Sequence, residues 1–196
     1  GYLNLDQHPI EFNPARHFIA TANHDILPPH YEHALSYYWA PPSRYQRVAE
    51  VLSSGRKFDI EDFIRLQQDT VSIPARHFIE FLRGWKPKPG SESERIQKQF
   101  LGWDANVSAG SETALIYEFW MERLESKLVP AAAGARAAPS VVLRELARNA
   151  KSSALLSESL EEALAGIRER LGNDPKDWQW GAIHKVYFPH PSGHQS

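Results

Sequence analysis

Between Ser43 and Leu171 apolar residues recur at three- to four-residue intervals, and helix-capping residues, prolines and glycines cut the pattern into short blocks. A chain written this way must fold as several short amphipathic helices that share one buried interior. Ser43 caps a first helix running to about Ser53, with Tyr45, Val48, Val51 and Leu52 on one face. Asp59 caps a second, striped by Ile60, Phe63, Ile64 and Leu66, and Pro74 sits in the first turn of a third whose inner face is Phe78, Ile79 and Leu82. Ser91 and Glu94 form a capping box for a helix ending near Leu101. The segment Ser111 to Leu128 is the most apolar, through Ala114, Leu115, Tyr117, Phe119, Trp120 and Leu124, and is expected at the centre of the core. After the small-residue connection Pro130 to Pro139, two further helices are expected over Ser140 to Asn149 and Ser159 to Leu171, the last opened by a Ser159/Glu162 box.

The two ends are written differently. Tyr2 to Pro14 is polar and irregular, and His17-Phe18-Ile19-Ala20-Thr21-Ala22 reads as a short strand closed by an Asn23-His24-Asp25 turn and the Pro28-Pro29 break. The tail carries Trp178, Trp180, Tyr187 and Phe188 among His184, His190 and His194. The division expected is therefore an extended opening segment over 1–30, a helical body over 31–176 and an extended tail over 177–196. A lone strand near residue 20 needs a partner for its backbone groups, supplied by the tail or from outside this sequence.

Composition removes several classes of function. With 22 Lys and Arg against 24 Asp and Glu there is no polycationic footprint for nucleic acid. No run reaches the roughly 18 to 20 apolar residues of a membrane span. The absence of cysteine excludes disulfides, thiolate zinc sites and a cysteine nucleophile. Gly1-Tyr2-Leu3-Asn4 lacks the features of a signal peptide.

Most chemically suggestive residues have structural readings. His30/His33 and His190/His194 have metal-compatible spacing, but Pro28, Pro29, Pro189 and Pro191 argue against helices that would bring them together, so surface or capping roles are expected. Trp85, Trp103 and Trp120 lie at core positions, and Trp178 and Trp180 can both face inward from an extended segment. Asp59, Glu61 and Asp62, like Glu161 and Glu162, complement helix N-termini. No nucleophile elbow, phosphate-binding loop or dinucleotide fingerprint is present. Asn23, at the end of the apolar run, reads locally as a turn former, and Arg44 and Arg47 as first-turn helix arginines.

The order of motifs changes that reading. NPARHFIATANHD (Asn13 to Asp25), YYWAPPSRYQRVAEVL (Tyr37 to Leu52), KFDIEDFIRLQQDTVSIPAR (Lys57 to Arg76), FLGWDANVSAGSETALIYEFW (Phe100 to Trp120) and DWQWGAIHKVYFPHP (Asp177 to Pro191) together resemble, over nearly the whole chain, the catalytic β subunit of the penicillin acylase family. The resemblance implies a mainly α piece, with short strands near both ends, of an αββα N-terminal nucleophile hydrolase. It also implies a precursor that cuts itself, exposing an N-terminal Ser whose own α-amine is the general base.

Residue by residue, the resemblance places the oxyanion Asn on Asn23 and its neighbouring Arg on Arg44, with Arg47 the alternative one turn on. It implies no cofactor for the chemistry. A structural calcium is a feature of some family members, and where they carry a calcium-binding Asp this chain has Glu32 and His33, leaving Glu32 as the residual candidate ligand. Gly1 has no hydroxyl, so the nucleophile is expected outside this sequence and the piece alone is expected to be inactive. Its partners would be the remaining segments of its own precursor and a small N-acyl amide, such as a β-lactam side chain or an acyl-homoserine lactone, in a periplasmic or secreted protein. The alternative from another class is a non-catalytic helical protein-binding module.

Overall fold

The computed structural model describes residues 2–129 and 137–186 and is mainly helical. Its helices are α1 (Ser43–Leu52), α2 (Ile60–Gln67), α3 (Ile73–Leu82), α4 (Glu92–Leu101), α5 (Glu112–Leu128), α6 (Pro139–Arg148), α7 (Ser152–Leu171) and the short α8 (Trp180–Ile183). Single 3-10 turns occupy Leu5–Gln7 and Pro175–Asp177. The chain divides into two compact units, one within residues 1–69 and one within 70–196.

The second unit holds all of the buried apolar side chains found among the described residues, from Ala75 to Trp178. α5 packs chiefly on α7 and then on α6, while α3 pairs with α4. At the centre, Trp120 of α5 meets Phe78, Phe100 and Trp85 edge-on, with ring centroids 4.9, 5.5 and 5.6 Å apart. Edge-to-face geometry sets the electropositive ring edge against the π cloud, so the cluster gains more than its buried area alone. The indole N–H of Trp120 donates to Ser159 Oγ at 2.9 Å, and that hydroxyl in turn donates to the Leu155 carbonyl at 2.6 Å. Trp178 is buried as expected, and Trp103 and Trp180 are partly buried against the same core.

Local capping follows the sequence with instructive exceptions. Asp59 and Asp62 exchange a full capping box at the start of α2, and Ser72, Ser91 and Ser111 cap α3, α4 and α5. Glu94 does not complete a box with Ser91, because its carboxylate accepts from the Gly90 N–H at 2.8 Å instead. Pro42, not Ser43, occupies the N-cap of α1, without a side-chain cap bond. The Ser159/Glu162 box is not formed: α7 already begins at Ser152, and Ser159 lies inside it, fully buried as the acceptor for Trp120. The need of a buried indole N–H for an acceptor put that Ser where sequence alone suggests a helix start.

The first unit is built from turns and two helices. The strand expected over 17–22 is not formed: among the described residues the only β pairing is an isolated bridge, Val71 to Asn106, in the other unit. His17 and Asn23 bracket the segment at φ of 60° and 58°, and left-handed residues at both ends interrupt an extended ladder. The α2 stripe is likewise not an internal face. Ile60, Phe63 and Ile64 are exposed, and the buried residue of the helix is Asp62. The expectations for His190, His194, Tyr187, Phe188 and most of the Pro130 to Pro139 connection fall outside the described residues.

Candidate functional site

The turn at residues 22–24 is held against the first turn of α1 by consecutive residues on each side. Arg44 Nη2 donates to Asn23 Oδ1 at 3.0 Å and to the Ala22 carbonyl at 3.1 Å. The Ala40 N–H donates to the Asn23 carbonyl at 2.8 Å. One residue further along both strings, the His24 ring stacks on Tyr45, centroids 3.9 Å apart and planes within 15°. Asn23 tolerates its left-handed backbone because a short amide side chain fits there, and the surrounding bonds hold it in place.

The bond to Arg44 decides which end of the Asn23 amide is free. A guanidinium only donates, so the amide must offer it oxygen, and the NH2 group is left over. Asn23 is exposed, and among the described residues its Nδ2 donates to no protein acceptor. The cationic guanidinium on Oδ1 also draws electron density through the amide, strengthening the remaining N–H as a donor. The arrangement is an oriented, neutral hydrogen-bond donor with its acceptor end occupied.

Arg47, one turn on, is committed elsewhere. Its Nε and Nη2 grip both oxygens of Asp69 at 2.9 and 2.6 Å, and Nη1 lies 3.2 Å from Glu50. These hydrogen bonds hold its pKa above the ordinary arginine value. Arg47 thus fastens α1 to the end of the α2 segment, and Arg44 is the guanidinium at Asn23.

Glu32 is exposed, and its neighbours are occupied with one another. The Tyr31 hydroxyl donates to the Gln7 carbonyl at 2.6 Å, and His33 Nε2 lies 3.3 Å from Gln7 Nε2. Among the described residues Glu32 belongs to no group of three or more His, Cys, Asp or Glu side chains that could hold a metal ion. His30 and His33 do not form one either.

An open concavity of about 540 Å³ adjoins the turn, with His24, Tyr45, Ile10, Ile19, Ile26 and Leu27 among its lining residues. His24 Nδ1 is buried and has no hydrogen-bond partner among the described residues. Sequence reasoning reached Asn23 and Arg44 but missed the His24–Tyr45 stack. The stack became visible only once the fold had paired Asn23 with Arg44 and so brought the next residue of each string together.

A family model described as penicillin amidase matches residues 1–196. An acyl-homoserine lactone acylase QuiP of Pseudomonas fluorescens is 27% identical, aligned over 100% of this chain and 29% of its own length. The protein of the same name from Pseudomonas aeruginosa is 23% identical over 94% of this chain and 26% of its length. A penicillin acylase 2 proenzyme of Pseudomonas sp. strain SE83 is 24% identical over 97% of this chain and 27% of its length. The chain thus spans less than a third of the curated relatives it matches.

Proposed function

This chain belongs to the penicillin amidase family, and on that premise we propose that it is part of an acylase hydrolysing linear amides of N-acyl substrates, with Asn23 as an oxyanion donor. The observation that carries the reading is the Arg44 bond to Asn23 Oδ1, which leaves the amide NH2 as an oriented neutral donor. The names of the relatives, acyl-homoserine lactone acylase and penicillin acylase, support the reaction class and the two substrate classes.

In the proposed reaction a Ser at the N-terminus of the processed catalytic subunit, outside this sequence, attacks the amide carbonyl. Its hydroxyl proton passes to its own α-amine, and the carbonyl oxygen becomes an oxyanion held by Asn23 Nδ2–H and a further donor outside this sequence. Collapse breaks the C–N bond, the amine leaves with the proton, and water releases the acid from the acyl-enzyme. Arg44 keeps the Asn23 amide the right way round, and its charge disfavours protonation of a nearby amine. No cofactor takes part. Self-processing of a precursor, assembly with its other segments and export from the cytoplasm belong to the same proposal, and rest on the resemblance of the sequence motifs.

The test is an amidase assay on the full-length processed protein, with phenylacetyl and long-chain acyl chromogenic amides, beside Asn23→Gly and Asn23→Asp. Glycine keeps the left-handed turn without the donor, and aspartate keeps the acceptor for Arg44 without the N–H. Each should lower kcat by on the order of 10² to 10³ with processing intact. A folded, processed Asn23→Gly protein with unchanged kcat would rule out the oxyanion role. A processed wild type that cleaves neither amide would instead favour a binding function for the helical body.

A further inference from the structure

The stacked pair beside Asn23 has no part in the chemistry above, yet its placement is specific. His24 follows Asn23 directly and Tyr45 follows Arg44 directly, so the ring stack and the Arg44–Asn23 bond are two rungs joining the same turn to the same helix. The stack is close and nearly parallel, at 3.9 Å and 15°. Both rings are half-buried, whereas Asn23 and Arg44 are exposed. A bond between two exposed side chains resists water poorly on its own. The backbone of Asn23 is also left-handed, a conformation that lasts only where neighbouring contacts over-determine it. Of those contacts, the stack is the one made by ring surface, which water does not displace by competing for a hydrogen bond.

We infer that His24 and Tyr45 are positioning residues for the reaction proposed above: their stack fixes the register of the 22–24 turn on α1 and thereby aims the Asn23 amide. The inference rests on the oxyanion reading of Asn23. The pair acts through its ring faces. The two side chains share no hydrogen bond among the described residues, and His24 Nδ1 is buried without a partner, so the contact between them is one of ring faces. The pair touches no reacting atom. It decides how often the donor stands where the oxyanion forms, and displacement of a donor by about 1 Å can cost on the order of 10²-fold in rate.

The experiment is a double-mutant cycle on the full-length processed enzyme, reading kcat and KM separately. Tyr45→Ala and His24→Ala should each lower kcat about 10- to 100-fold with KM nearly unchanged. Tyr45→Phe and His24→Phe, which keep a ring in the stack, should restore most of it. In an Asn23→Gly background Tyr45→Ala should cost little more, because the group it aims is gone. If Asn23→Gly lowers kcat while Tyr45→Ala does not, the positioning inference is wrong and the oxyanion reading stands. The positioning inference fails equally if the two losses multiply in full. An Asn23→Gly enzyme with unchanged kcat removes the oxyanion reading and the inference together. A fall in melting temperature that Phe does not repair would make the pair merely structural.

Discussion

Asn23 joins two demands in one residue, a left-handed backbone and a side-chain donor, and substitutions separate them. Glycine and alanine both abolish the donor, so their effects on turnover should match. Alanine alone carries a Cβ into the left-handed region, at a cost of about 1 to 2 kcal/mol, so Asn23→Ala should be less stable than Asn23→Gly by about that amount. Chemical denaturation or amide exchange at residues 22–24 would measure the difference, and equal stabilities would show that the turn is not held as described. Arg44→Lys tests the other side of the bond. Arg44 Nη2 alone reaches both Ala22 O and Asn23 Oδ1, and a lysine, which keeps the charge, ends one atom shorter, so kcat should fall despite conserved charge. Within the core, Ser159→Ala leaves the Trp120 indole N–H buried without an acceptor, and should cost about 1 to 3 kcal/mol in denaturant unfolding.

Among the elements, α2 owes its start to charge rather than to its apolar stripe. The Asp62 carboxylate lies well below the usual carboxylate range, chiefly because Arg56 donates to it at 2.8 Å, aided by the Asp59 N–H and Arg65. A depressed pKa means that the ionised form is bound more tightly in the folded state. Its contribution is therefore present above the ordinary carboxylate value of about 4 and fades as the pH falls towards the lower folded value. Amide protection of α2 in Asp62→Asn should be weaker than wild type at pH 7, with the gap closing at pH 2. A gap independent of pH would contradict the charge origin. α8 depends instead on the lack of a side chain. The Gly181 N–H donates to the Ala109 carbonyl at 2.7 Å, and a Cβ there would lie 2.9 Å from Ala109 Cβ. Gly181→Ala should thus destabilise the second unit by about 1 to 3 kcal/mol, read in the same denaturant titration.

At the scale of the whole molecule, core and candidate site belong to different units. Every buried apolar side chain among the described residues lies between 75 and 178, while Asn23 and Arg44 lie within 1–69. A chain of residues 70–186 should unfold cooperatively with the helical signal of α3 to α8, because the buried apolar side chains found among the described residues all lie within it. Loss of helix without a cooperative transition would show that its core needs more of the chain. Residues 2–69, with Ile60, Phe63, Ile64, Tyr37 and Phe12 exposed, bury little apolar surface of their own and should be cut first in limited proteolysis.

Much of this was legible in residue order. Helical periodicity located α1 to α6 to within a few residues, since amphipathic spacing and caps are local properties, and the ordered motifs pointed to Asn23 and Arg44. The start of α7 was not legible, because Ser159 looks like a cap until Trp120 is known to need its oxygen. The stripe of α2 looked like a core face, but an apolar face is buried only if something packs on it, and periodicity does not name the neighbour. The choice between Arg44 and Arg47 also waited for the fold: both are first-turn arginines by sequence, and only the approach of Asp69 to one and of Asn23 to the other tells them apart. Residue order alone located most of the helices and pointed to the family. Tertiary structure decided which side chains meet, because contacts between residues some twenty positions apart depend on how the chain folds back, and local spacing does not encode that.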